Sequence, residues 1–208
     1  MTSDSLLYFI AASVMLTLSP GPDLLFVISQ SVSNHWKAGV ATAVGLCSGL
    51  IVHTSVVAFG ATLFFDRYPW SFELLKYAGA GYLLYIAWQV FRQNEKAHLV
   101  ALEKSAYFKL FKRGVTMNLL NPKVTLFFLA FLPQFIPATA GSESFNSAQY
   151  VFLLGTVFLI QALIIFSSVA FITGRLAARF YQKPWYLGFM KWGQIVVLVG
   201  IAIHILMP

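Results

Sequence analysis

Two ionisable side chains, Asp23 and Lys123, stand inside otherwise apolar stretches of this chain, and each directly follows a proline. Asp23 ends the string Ser19-Pro20-Gly21-Pro22-Asp23, and Lys123 ends Asn121-Pro122-Lys123. A carboxylate and an ammonium at such places can hold a zwitterion, pass a proton, or pair with each other. Proline lacks a backbone N–H and breaks a helix, yet it suits the first position of a new one. Pro22 and Pro122 therefore start fresh half-helices, with Ser19 and Asn121 as candidate caps. The free N–H groups of a helix start bind anions, and the same helix dipole welcomes Asp23 and opposes Lys123. A lysine set against the dipole needs an anion, which either Asp23 or a ligand carboxylate supplies. The candidate binding residues are thus Pro20, Gly21, Pro22, Asp23, Asn121, Pro122 and Lys123, with Asp23 also the candidate proton carrier. Two plainer readings compete: a structural Asp23–Lys123 ion pair, and prolines and glycines that only kink their helices. Inside a membrane an ionisable residue marks function by default.

The elements that carry these residues are membrane spans. The chain has 208 residues and is 59% hydrophobic and only 10% charged, with a mean hydropathy of +0.76. Ordinary soluble domains carry about 25% charged residues, and a chain of this size cannot bury so much apolar surface in one core. Lipid must cover most of the exterior. That excludes a soluble enzyme, a disordered chain and a nucleic-acid-binding module, despite a net charge of +7. One cysteine, Cys47, excludes an intrachain disulfide, a redox pair and a cysteine metal site. No two histidines or carboxylates have metal-ligand spacing, and no cofactor is implied.

A span needs about 20 apolar residues. Six segments qualify: Leu6 to Ser33, Ala38 to Phe65, Phe72 to Phe91, Gly114 to Phe135, Gln149 to Thr173 and Leu187 to Met207. The first and fourth are interrupted by the two proline motifs. Alternating short segments of a barrel are absent, so the predicted fold is an all-α membrane protein. The loops at Lys37, Arg92 to Arg113 and Arg175 to Lys183 carry ten basic residues, against two, Arg67 and Lys76, on the other side. Those odd-numbered loops are therefore cytoplasmic and both termini lie outside. The two halves also echo each other, Pro22-Asp23 with Pro122-Lys123 and Leu75-Lys76-Tyr77-Ala78-Gly79 with Met190-Lys191-Trp192-Gly193. Three spans per half put the second half upside down. The predicted organisation is two inverted three-helix repeats, 1–92 and 114–208, joined by a basic cytoplasmic loop, 93–113. Paired broken helices in inverted repeats hold small solutes near the bilayer midplane. Asp23 and Lys123 each lie about ten residues, or roughly 15 Å, from the cytoplasmic side, near that midplane.

Other residues carry less. Gly39, Gly45 and Gly49 form a small-residue row that suits close helix packing, and such faces are also the candidate surface of a homodimer. His53 follows on the same face and reads as a hydrogen-bonded interior histidine sooner than a proton relay. Gln161, Gln194 and His204 are lone polar groups in the last two spans. Trp36, Trp70, Trp88, Trp185 and Trp192 sit near span ends, as interfacial anchors do.

The proline motif with Leu24-Leu25-Phe26-Val27, the row Gly39 through Gly49 and Tyr77-Ala78-Gly79-Ala80-Gly81-Tyr82-Leu83-Leu84-Tyr85 resemble the lysine exporter and threonine/homoserine efflux superfamily. So does Asn118-Leu119-Leu120-Asn121-Pro122-Lys123 through Phe131-Leu132-Pro133-Gln134-Phe135. The resemblance covers about residues 5–207. It implies a bacterial inner-membrane exporter of amino acids, usually driven by the proton gradient. Combined with the single interior acid and base, it points to proton-coupled efflux of a small neutral amino acid, threonine-, homoserine- or leucine-like, by alternating access. The partners so implied are the amino acid, a proton and the lipid bilayer. The alternative is an exporter or channel of the same fold for another small solute or a metal ion. A membrane enzyme fits poorly, since an aspartyl protease needs a second interior carboxylate and a thiol electron carrier a second cysteine.

Overall fold

Every element of the computed structural model is helical, and no strand occurs among the residues it describes, which are 3–19, 21–61, 67–92, 106–136, 144–176 and 184–206. The first two helices, α1 (Ser3–Leu18) and α2 (Pro22–Asn34), meet at a 54° bend. A single residue, His35, turns the chain into α3 (Trp36–Val56), which ends in one wide turn at Val57–Ala61. Helix α4 (Pro69–Arg92) follows. The second bend, of 50°, separates α5 (Tyr107–Leu119) from a segment of changing pitch that begins with α6 (Pro122–Leu126) and runs on to Phe135. Two long helices close the chain, α7 (Ser144–Leu176) and α8 (Pro184–Leu206), and α8 packs along α4.

Two stretches are long and apolar enough to cross a bilayer unaided, Trp36–Gly60 with 25 residues and Ser147–Arg175 with 29. At 1.5 Å per residue both exceed a hydrocarbon core about 30 Å thick. Counting each bent pair as one span brings the total among the described residues to four. The outward faces suit lipid: Ile51, Val52, Val56 and Phe59 on and after α3, and Ile160, Ile164 and Ile172 on α7, are exposed. Outward hydroxyls return to their own helix, with Ser48, Ser55 and Thr156 donating to the carbonyls of Val44, Ile51 and Phe152 at 2.7–2.8 Å. Nothing polar is left for lipid to solvate on those side chains.

The boundaries shift in one informative way. Lys109, Lys112 and Arg113, expected in the basic loop 93–113, lie on the first turns of α5. Their stems run along aromatic surface, with Lys112 over Phe108 at 4.7 Å and Arg113 over Phe26 at 5.1 Å. Long cations at a helix end can cover apolar rings and still reach water. Residues 93–105 lie outside the described residues.

Two contacts lock the helices that carry the proline motifs. Added methyls at Gly45, Gly49 and Gly114 would run into Phe111, Asn118 and Thr42, so α3 and α5 cross with their backbones touching. Gly39 is covered likewise by Ser31 and Ala170. The glycine row is therefore spent on packing inside the chain. Elsewhere, aromatic rings tie α1 and α7 to the segment after Pro122: Phe9 meets Phe135 at 5.3 Å, and Phe127 and Phe128 meet Phe158 at 5.4 and 5.3 Å.

Candidate functional site

A proline has no N–H to return to the carbonyl four residues earlier. Pro20 and Pro122 therefore cannot donate to the carbonyls of Leu16 and Asn118. The Asn118 carbonyl accepts instead from the Asn121 N–H at 3.0 Å, and a side chain from a distant element reaches each of the two carbonyls. The Lys123 ammonium donates to the Leu16 carbonyl at 3.0 Å and to the Ser19 carbonyl at 3.1 Å, and also to the Ser19 hydroxyl. His53 Nε2 lies 3.2 Å from the Asn118 carbonyl, a partner that requires the proton on Nε2. Lys123 thus sits at the carbonyl end of α1, where the helix dipole favours a cation. Its backbone meanwhile opens α6, where Asn121 Oδ1 accepts from the Lys123 N–H at 3.1 Å.

Asn121 caps as expected, but Ser19 does not. The residue before α2 is Gly21, extended at φ −165°, and no side chain caps that start. Ser19 instead serves Lys123. Gly21 faces the same ammonium, since a methyl there would stand 3.5 Å from Lys123 Nζ.

Asp23 and Lys123, each 7% exposed, line one cavity without bonding to each other. Asp23 Oδ2 accepts from Asn118 Nδ2 at 3.1 Å. Asp23 Oδ1 and Asn118 Oδ1 are buried and have no hydrogen-bond partner among the described residues. The ion-pair reading is therefore replaced by two separately held charges. Buried acceptors left unpaired are costly, and here they converge with a carboxylate. Such a place suits a donor-rich cation such as an amino acid's ammonium. The cavity leaves about 30 Å³ for the centres of water molecules, enough for about two.

Gly21, Asp23, Asn121 and Lys123 all reach the cavity. Pro22 and Pro122 are exposed and act by starting their helices. Pro20 lies outside the described residues, as do the side chains of Gln194 and His204. Three contributors were not among the expected site residues: Ser19, which was expected only as a cap, Asn118 and Thr17. The position of Asn118, four before Pro122, was the available signal. Apolar walls come from Leu24, Leu50, Phe158 and Phe166.

The description of LysE type translocators matches residues 14–207 of this sequence. The chain belongs to the LysE type translocator family. Among proteins similar to this translocator is the homoserine/homoserine lactone efflux protein of Salmonella typhimurium, 32% identical over 194 residues that make up 92% of each chain. A leucine efflux protein of Enterobacter sp. (strain 638) is 28% identical over 82% of each chain. An uncharacterized membrane protein of Bacillus subtilis is 27% identical over 87% of this translocator and 86% of its own length. No solved structure matches the translocator.

Proposed function

We propose that this translocator exports a small neutral amino acid, threonine-, homoserine- or leucine-like, from the cytoplasm by proton antiport with alternating access. The observation that carries the reading is the convergence of both proline breaks on one cavity that holds one buried acid, one buried base and unpaired acceptors. The names of its relatives, efflux proteins for homoserine and leucine, support the substrate class. In this reading Asp23 and Asn118 take the substrate ammonium, and Asp23 takes the counter-transported proton when the ammonium leaves. The substrate carboxylate draws Lys123 off the carbonyls of Leu16 and Ser19 and uses the uncapped start of α2 at Pro20–Asp23, beside the start of α6 at Asn121–Lys123 that Asn121 caps. Freeing the end of α1 loosens the first break, which links binding to the change of access. A substrate with a second cation would lack a second buried carboxylate, which disfavours lysine and arginine.

The architecture proposed for this cycle has six transmembrane helices in two inverted repeats, 1–92 and 114–208, joined by residues 93–113, in the bacterial inner membrane with both termini outside. Bends of 54° and 50°, each opened by a proline at the first turn of the new half-helix, support the repeat. Proteoliposomes loaded with labelled amino acids test the function, with and without a pH gradient, for the parent protein and for Asp23→Asn. Gradient-dependent release that the variant loses is the expected result. Release that ignores the gradient means a channel, and no release of any amino acid overturns the substrate class.

A further inference from the structure

The charged groups of the site answer the zwitterion of an amino acid and leave its side chain facing the remaining wall. That wall is apolar at Leu50, Phe158 and Phe166, and one hydroxyl interrupts it, Thr17, which is 5% exposed. Thr17 Oγ1 donates to the Ser13 carbonyl at 2.8 Å, one turn back in α1. From α7, Gln161 Nε2 donates to Thr17 Oγ1 at 3.0 Å and lies 3.4 Å from the same Ser13 carbonyl. A hydroxyl has one proton and two lone pairs. Here the proton goes to Ser13 and one lone pair to Gln161, so the hydroxyl of Thr17, a residue that lines the cavity, keeps a single lone pair. It can accept and cannot donate. Gln161 Oε1, just behind, is buried and has no partner among the described residues.

We propose that Thr17 is a specificity-determining residue that accepts a hydrogen bond from a hydroxyl on the substrate side chain, and that Gln161 is the positioning residue that aims it. The inference rests on the export reading and deepens it. It assigns this translocator to hydroxylated amino acids over aliphatic ones of similar size. A site built to bond a hydroxyl discriminates against the analogue lacking it, because the acceptor is then left unpaired, whereas a purely apolar pocket rejects an added hydroxyl only weakly. Thr17 also sits on α1 immediately before the first break, so a substrate hydroxyl bound there contacts the element that Lys123 restrains.

The test uses the full-length protein in proteoliposomes, with labelled homoserine and leucine loaded at equal concentration. The parent should release homoserine faster. Thr17→Val keeps the shape and removes the acceptor, and should lower homoserine release about five- to tenfold, the worth of one neutral hydrogen bond, with a clearly smaller effect on leucine release. Thr17→Ser should keep the preference. Gln161→Leu should raise the KM for homoserine without altering kcat for leucine, a split that a packing role would not produce. Equal loss of both substrates in Thr17→Val and Gln161→Leu overturns the proposal. A parent that releases neither amino acid overturns the export reading beneath it, which keeps the two failures apart.

Discussion

Replacing Lys123 by methionine removes one ammonium and, with it, the donor for two carbonyls that proline and the end of α1 leave unpaired. In the native protein these are Leu16 and Ser19, at 3.0 and 3.1 Å. An orphaned buried carbonyl costs about 1–3 kcal/mol, so the two together cost about 2–6 kcal/mol. Deleting a buried cation returns part of that, since its own desolvation is relieved. The expected net loss is about 2–4 kcal/mol, or about 4–16 °C in melting temperature for a chain of this length. Thermal unfolding of Lys123→Met in detergent micelles reads the number, and substrate release from proteoliposomes should be abolished in parallel. A Lys123→Met protein that melts within about 1 °C of the parent refutes the reasoning, because a tether worth only a few tenths of a kcal/mol would not pin α1.

Asn121→Ala removes the side-chain cap of α6 and should cost about 1 kcal/mol, with Asn121→Ser close to the parent in the same melt. Gly45→Ala drives a methyl into the Phe111 backbone and should cost about 1–3 kcal/mol or more. Gly60→Ala meets nothing within 4 Å and should stay within about 0.5 kcal/mol of the parent; equal effects at the two positions would contradict the backbone contact between α3 and α5. His35 turns the chain at φ 81° and ψ 153°, so His35→Gly should relieve strain and raise stability by about 1 kcal/mol. For the orientation, Lys104→Cys in a Cys47→Ser background should react with an impermeant thiol reagent in inverted vesicles and stay unlabelled in right-side-out ones. The opposite pattern would reverse the assignment of the termini.

Much of the candidate site could be read in the sequence because its markers are chemical exceptions. Asp23 and Lys123 stand out against apolar neighbours, and the prolines beside them mark broken helices wherever they occur. The roles of those residues were less legible. An ion pair is the natural partner for two lone opposite charges, yet Lys123 spends its N–H groups on α1 and Asp23 binds Asn118. Gln161 read as a lone polar group because its partners lie 144 and 148 residues away in the chain, and the partner of His53, expected to be hydrogen-bonded, lies 65 residues away.

Composition alone determined that lipid surrounds this protein, since too few charges exist to clothe a soluble surface. Local chemistry alone determined where its helices break, since a missing N–H acts within one turn. Neither could decide which way each helix turns about its own axis. Helices apolar on nearly every side carry little mark of the face that will be buried. That rotation was settled by tertiary contacts, chiefly the glycine-permitted crossing of α3 and α5 that brings His53 to Asn118, and the phenylalanine packing of α1, α7 and the segment after Pro122 that carries Lys123 to the end of α1. The charges were written in the sequence, and their partners came from the packing.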